Sequence, residues 1–311
     1  RLALLVSEEA ANIMYDFLKS ESDSTLRAAT LSYLYDCPSI EAQMSLVEGL
    51  MNNQTEEGVA AAKLYCKFSE AKVGKVIKLL KGSSTSNKVT LAQALKENNK
   101  LSPEQWIKIQ NDDNSNSFQA VVFSAIAHGK INSSTLSLLK KTLSTGSIIQ
   151  KNAIATSLSK NEQASPLFMQ MSNDKHATVR RAAATCMGKV KKSDFEDRLI
   201  SLSQDKDAEV RKQAAISLRN YSSDKAITAL VKNLNDPQLL TQKSAVESLL
   251  FLSKNIDVMS LVAPSLNAEN FSSRRWAAHI AGQLKKIKHA KLIEQQLRKE
   301  ENFDARSEQI Y

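Results

Sequence analysis

Apolar residues recur along this chain three or four positions apart, in short runs separated by polar turns, which is the spacing of amphipathic helices. The runs come in pairs, and we call the first of each pair A and the second B. The opening A run, 8–19, places Ile13, Met14, Phe17 and Leu18 on one face, and its B run continues from Leu26 to Leu34. Further pairs are predicted at 40–51 with 59–68 and at 73–80 with 87–95. The next A run opens at Ser102-Pro103-Glu104-Gln105, where Ser can cap, Pro suits the first helical position and Gln can close a capping box. Its B run is 118–126, and then come 135–143 with 148–158, 164–171 with 179–187, 195–202 with 210–218, 227–234 with 239–252, and 256–266 with 273–284. Leu292, Ile293 and Leu297 predict a last A-like helix in a capping segment, 285–311, whose tail from Glu300 is charged.

The B runs begin 29–33 residues apart throughout. The period is most legible where one phrase is written twice. Asp174-Lys-His-Ala-Thr-Val179-Arg180-Arg181-Ala-Ala183-Ala184 is followed, 31 residues on, by Asp205-Lys-Asp-Ala-Glu-Val210-Arg211-Lys212-Gln-Ala214-Ala215. Repetition at this period marks a solenoid, because no single pair can bury its apolar stripe and each must stack on its neighbours. The expected fold is all-α, an α-α superhelix (α-solenoid) of nine helical pairs across residues 1–311, with divergent repeats over 1–158 and clearer ones over 159–284.

Composition agrees with helices joined by short turns: the 311 residues contain only eight Gly and five Pro. Charge changes the picture more. The net charge is +9, and residues 151–311 carry 26 Lys and Arg against 18 Asp and Glu, a net of +8. Such asymmetry favours anionic partners for the C-terminal half. Cys37, Cys66 and Cys186 show no CxxC spacing, which fits a reducing compartment or buried structural thiols better than a disulfide scaffold, and a cytoplasmic protein is expected. The apolar run 2–6 is too short to cross a bilayer, so no membrane insertion is expected. Arg1 in place of an initiator Met reads as a trimmed fragment, leaving a removed signal or further domains open.

The pattern Asp-x-x-x-x-Val-Arg-x-x-Ala-Ala-x-x-Leu resembles the second half of a HEAT repeat, particularly the short HEAT-like type known from phycobilisome lyases. Residues 174–218 carry the resemblance well, 236–249 and 267–284 in part, and 1–158 mainly through period and Leu26-Arg27-Ala28-Ala29. The resemblance implies A helices on a convex side, B helices on a concave side, and an Asp–Arg ladder between repeats. By that carry-over the ladder falls to Asp174, Asp205 and Asp236 with Arg180, Arg211 and Arg274. Gln242 and Asn267 depart from the pattern, so an interruption is expected there. The family spans scaffolds, transport receptors, lyases and nucleic-acid enzymes, so the resemblance speaks to architecture more than to function.

One position beyond the ladder, the B runs hold Lys151, Arg181, Lys212, Lys243 and Arg275. With helices packed roughly 8–10 Å apart, these five are expected to form a cationic stripe some 30–40 Å long on the concave face. Read blandly, they are solvated helix-face cations that repetition has duplicated. Trp276 and His279, on the same helix as Arg275, form an accessory candidate for stacking or phosphate contact; core packing is the competing account of Trp276, and a neutral surface histidine that of His279. Catalytic signals are thin: the four histidines lack HxxxH or HExxH spacing, no phosphate-binding glycine motif occurs, and Asp112-Asp113 read as turn chemistry. No cofactor or metal is implied. The reading that follows is a non-catalytic protein–protein interaction scaffold whose basic concave face binds an acidic segment of another protein. Nucleic-acid binding or processing is the alternative, and a lyase-type enzyme a third.

Overall fold

The computed structural model describes residues 8–35, 43–51, 55–68, 72–158, 162–284 and 294. Within these residues the apolar periodicity resolves into alternating A and B helices, and no strand appears. The chain divides into two compact units, residues 1–154 and 155–311. The first contains α1 (Glu8–Ser20), α2 (Ser24–Tyr35), α3 (Met44–Leu50), α4 (Glu56–Tyr65), α5 (Val73–Gly82), α6 (Thr85–Glu97), α7 (Pro103–Ile109), α8 (Asn116–His128) and α9 (Ser133–Thr145). The division falls inside α10 (Ile148–Ser157). The second contains α11 (Ser165–Ser172), α12 (Ala177–Val190), α13 (Glu196–Leu202), α14 (Ala208–Leu218), α15 (Asp224–Lys232), α16 (Leu239–Leu252), α17 (Met259–Val262) and α18 (Phe271–Gln283). Even-numbered helices are the B helices. The fold is all-α and of the α-solenoid class.

Local chemistry accounts for many of the boundaries. The capping box at α7 is closed from both sides: the Gln105 N–H donates to Ser102 Oγ, and Gln105 Oε1 accepts from the Ser102 N–H at 2.8 Å. Asp207 caps α14 by accepting from the N–H groups of Glu209 and Val210. The A helix expected over 256–266 is shorter, because the chain tightens into a 3-10 turn at Ala263–Asn267 around Pro264, whose missing N–H cannot continue the helical bonding. Of the A run expected over 40–51, the helix occupies Met44–Leu50, and 40–42 lie outside the described residues. The capping segment expected over 285–311 also lies outside them, apart from Glu294.

In the first unit α2, α4, α6 and α8 pack in succession, around a core that includes Leu31, Tyr65, Leu91, Phe118 and Ile126. In the second unit α12, α14, α16 and α18 do the same. There Val179, Ala183 and Ala184 and their copies Val210, Ala214 and Ala215 are fully buried. The small residues have a stated purpose, which is close approach of neighbouring B helices. Ser217 Oγ donates to the Ala184 carbonyl at 2.9 Å, and Ser248 Oγ repeats the contact onto Ala215. At Gly188 a Cβ would lie 2.6 Å from Ser217 Cβ, so only glycine fits.

The loops between A and B helices hold the register. Arg180 reaches forward to Asp205 with a two-pronged bond, Nε to Oδ2 and Nη2 to Oδ1, both 2.7 Å. Its Nη1 turns back to the carbonyls of Asp174 and Lys175. Arg211 repeats every one of these contacts one repeat later, onto Asp236 and the carbonyls of Asp205 and Lys206. Arg274 makes the backward contacts as well, donating to the carbonyls of Ala268 and Glu269. The first unit has its own version: Lys88 donates to the Asp112 carbonyl at 2.8 Å and stands 3.7 Å from the Asp113 carboxylate. Asp113 is therefore a ladder aspartate as well as a turn residue, which the turn-chemistry reading of Asp112-Asp113 did not contain. Its carboxyl is held down to about 2, first by the Ser115 backbone N–H.

Burial by itself would raise the Asp205 carboxyl, but hydrogen bonds from Arg180 and the Asp207 N–H, with the Arg180 charge, hold it below the usual carboxylate range. A depressed folded-state value stabilises the fold above the unfolded value of about 4, and the contribution is lost as pH falls through the depressed value. Asp205→Ala is expected to cost about 3 kcal/mol at neutral pH, since it leaves the buried Arg180 guanidinium unpaired. Urea denaturation of both proteins from pH 7 to pH 3 checks this: the difference should shrink on acidification, and a pH-independent difference would contradict the electrostatic account.

Candidate functional site

The second unit brings four of the five basic candidates into one row. Arg181, Lys212, Lys243 and Arg275 stand on α12, α14, α16 and α18, each one residue beyond its ladder position, on helices that pack in that order. Arg181 and Lys243 are exposed, and Lys212 and Arg275 are half-buried. The row is not uniformly positive. Glu209, in the first turn of α14, lies between Arg181 and Lys212, with its carboxylate 3.8 Å from Arg181 Nη1 and 2.7 Å from Lys212 Nζ. Sequence reasoning missed this residue because it sits 28 positions from Arg181. The signal was present in Glu209 and Lys212, a turn apart on the predicted helix.

Lys151 does not belong with these four. It is only 5% exposed. The buried set 151, 154, 155 and 158 matches 180, 183, 184 and 187, an offset of 29, so Lys151 occupies the ladder position and Asn152 the row position. The step from Lys151 to Arg180 is 29 residues where that from Arg180 to Arg211 is 31, so the row position falls on Asn152. The ladder positions then run Lys88, Gln119, Lys151, Arg180, Arg211, Gln242 and Arg274. Gln119 behaves as such a position should, donating to the Asp113 carbonyl and accepting from Gln150.

The expected interruption at Gln242 is bridged by other means. Gln242 Nε2 keeps the backward bond to the Asp236 carbonyl at 2.5 Å, while Oε1 accepts from Trp276 Nε1 at 2.8 Å. A neutral bond to the next B helix thus stands in for the Arg–Asp fork. Trp276 is buried, which agrees with core packing rather than an open stacking surface, and its ring meets His279 edge-on at 5.7 Å. Arg275 lies over the Trp276 ring at 4.2 Å. The buried Arg275 Nε–H meets no acceptor among the described residues.

Other chemistry-bearing groups are placed as follows. The Cys66 and Cys186 thiols are buried, and burial pushes each up to about 12, far from a reactive thiolate. Cys37 and His289 lie outside the described residues. His176 Nδ1 pairs with Asp174, the ladder aspartate that opens its turn. Among the described residues no three His, Cys, Asp or Glu side chains gather as a metal site would require. A groove of about 510 Å³ between α13 and α15 is lined by Asp197, Ile200, Asp224, Lys225 and Lys232 among others, and it holds no His or Cys. No helix among the described residues is long and apolar enough to cross a membrane.

The family profile of HEAT repeats matches residues 164–250, the stretch that carries both Arg–Asp forks and three of the four cations of the row. This stretch is a run of HEAT repeats. Over the wider chain the likeness is one of fold. Kap121p bound to Pho4p is similar over 93% of this chain and 39% of its own, at 14% identity with a TM-score of 0.51. A Kap121p mutant is similar over the same shares at 12% identity and a TM-score of 0.53. The chain thus spans about 39% of the length of Kap121p. An engineered protein is similar over 98% of both chains at 15% identity, with a TM-score of 0.49. Curated proteins give no match to this chain.

Two outcomes test the placement of these side chains. Trp276→Phe should lower stability by about 2 kcal/mol, because the smaller phenyl ring leaves part of the space empty and the buried Gln242 oxygen without its donor. An unchanged urea midpoint would contradict the bridging role. Iodoacetamide should label neither Cys66 nor Cys186 in the folded chain and both in urea, as read by peptide mass mapping.

Proposed function

We propose that this chain is a non-catalytic scaffold that binds another protein along the B-helix face of its second unit, with Arg181, Lys212, Lys243 and Arg275 contacting acidic groups of the partner. HEAT-repeat solenoids are a fold typical of protein-interaction scaffolds, and Kap121p, of similar fold, is seen bound to Pho4p. The observation that carries the reading is the cationic row itself: four basic residues in register on consecutive B helices, at positions where the ladder makes no demand for charge. Glu209 favours a protein over a polyphosphate. Its carboxylate interrupts the row, so a continuous phosphate backbone meets repulsion where a partner of mixed charge can supply its own cation.

A second reading, nucleic-acid binding, rests on the net +8 of residues 151–311. It requires affinity for unrelated duplexes that falls steeply with salt.

Affinity capture from an extract of the source cells, with and without nuclease, separates the two. The combined Arg181→Glu, Lys212→Glu and Lys243→Glu variant should stay folded, since these side chains are exposed or half-buried, and should lose its captured protein by about tenfold or more. Capture unaffected by the reversal sinks the proposal, and capture abolished by nuclease transfers support to the second reading.

A further inference from the structure

Positive charge and exposed apolar surface coincide at one end of the row. Glu209 pairs with both Arg181 and Lys212 and offsets one of their two charges, whereas among the described residues no ion pair engages Lys243 on α16 or Arg275 on α18. The same two helices begin with large apolar side chains in the open: Leu239 is 48%, Leu240 60% and Phe271 43% exposed. The fold does not ask for them. At the corresponding starts of α12 and α14 stand Ala177 and Thr178, and Ala208 and Glu209. Leu240 and Lys243 are three residues apart on α16 and Phe271 and Arg275 four apart on α18, so each apolar residue shares a helix face with a cation.

Arg275 is prepared for a carboxylate. Its guanidinium is held over the Trp276 ring, Trp276 is fixed in turn by its bond to Gln242, and the buried Nε–H has no acceptor among the described residues. The residue as a whole is half-buried, so a carboxylate meets the part of the guanidinium that stays accessible, on a side chain that stacking against Trp276 already orients. Exposed carboxylates limit what else can bind. Glu247 lies one turn beyond Lys243, and Glu269 sits in the loop before α18, so a long polyanion would be repelled at both edges.

We propose that the α16–α18 surface takes a short segment of a partner protein in which one or two carboxylates adjoin a large apolar side chain. The carboxylate is bound by Arg275 and Lys243, and the apolar side chain rests on Leu239, Leu240 and Phe271. This deepens the protein-binding reading and rests on it.

The test uses fluorescence polarisation of the full chain with a labelled peptide whose core is two glutamates flanked by leucine and phenylalanine. Three controls accompany it: the glutamine version, a version with serines for the leucine and phenylalanine, and a single-stranded oligothymidylate. The parent peptide should saturate, and the first two controls should bind at least about tenfold more weakly. Arg275→Ala and Leu240→Ser should each weaken the parent peptide by about tenfold, and Arg275→Lys by less, because it keeps the charge but not the stacked guanidinium. Leu240 is exposed, so its variant tests the site without endangering the core. Failure to saturate, equal binding of either peptide control, or equally tight binding of the oligothymidylate overturns the proposal. If extract capture survives Arg275→Ala and Leu240→Ser but not the triple charge reversal, this inference falls and the protein-binding reading stands. If capture ignores all of them, both fall.

Discussion

The structure of the second unit depends on one bond made twice, the fork between an arginine and the aspartate of the following repeat. Each aspartate-bearing turn is held from both sides. Asp205 is gripped through its carboxylate by Arg180 of the preceding B helix, and through its carbonyl by Arg211 of its own. The same carboxylate receives the Asp207 N–H that starts the next helix. One side chain thereby sets where a helix begins and how far it stands from its neighbour. A mostly buried ion pair is weak evidence for net stability, because desolvation offsets much of the attraction. Its value here is registry. The Gln242–Trp276 bond makes that visible, since a neutral link at the same position keeps α16 and α18 in step without any charge.

Registry explains why so much of the fold was legible. Val, Ala and Ala recur because the B helices approach closely enough for serine hydroxyls to reach the carbonyls of the helix before, and the 31-residue offset of Asp174 and Asp205 is the offset of the turns themselves. Legibility failed where one residue type could serve two positions. Lys151 reads as a surface cation in a list of basic residues, yet it fills the buried ladder position, and only its burial pattern separates the two. Asp113 reads as a turn residue, and is one, but the Lys88 that makes it a ladder residue lies 25 positions earlier, the spacing that also separates Arg180 from Asp205. The Trp276 donor was hidden for another reason. Nothing local connects a tryptophan to a glutamine 34 residues before it until the helices are packed.

Arg180 and Arg181 show how far neighbours in sequence can diverge. One is buried, forked to Asp205 and bound to two carbonyls; the other is half solvated and shares Glu209 with Lys212. Repetition copies both, but only the first copy is constrained by the fold. The row position therefore varies at little structural cost, and what surrounds it is free to differ from repeat to repeat. Around Arg181 and Lys212 the variation supplies a carboxylate that offsets one of the two charges. Around Lys243 and Arg275 it supplies leucines, a phenylalanine and an aromatic ring that holds the guanidinium in place. On the reading proposed above, cations and exposed apolar side chains on the same two helices call for an occupant whose chemistry is the complement of that surface, negative and apolar at once.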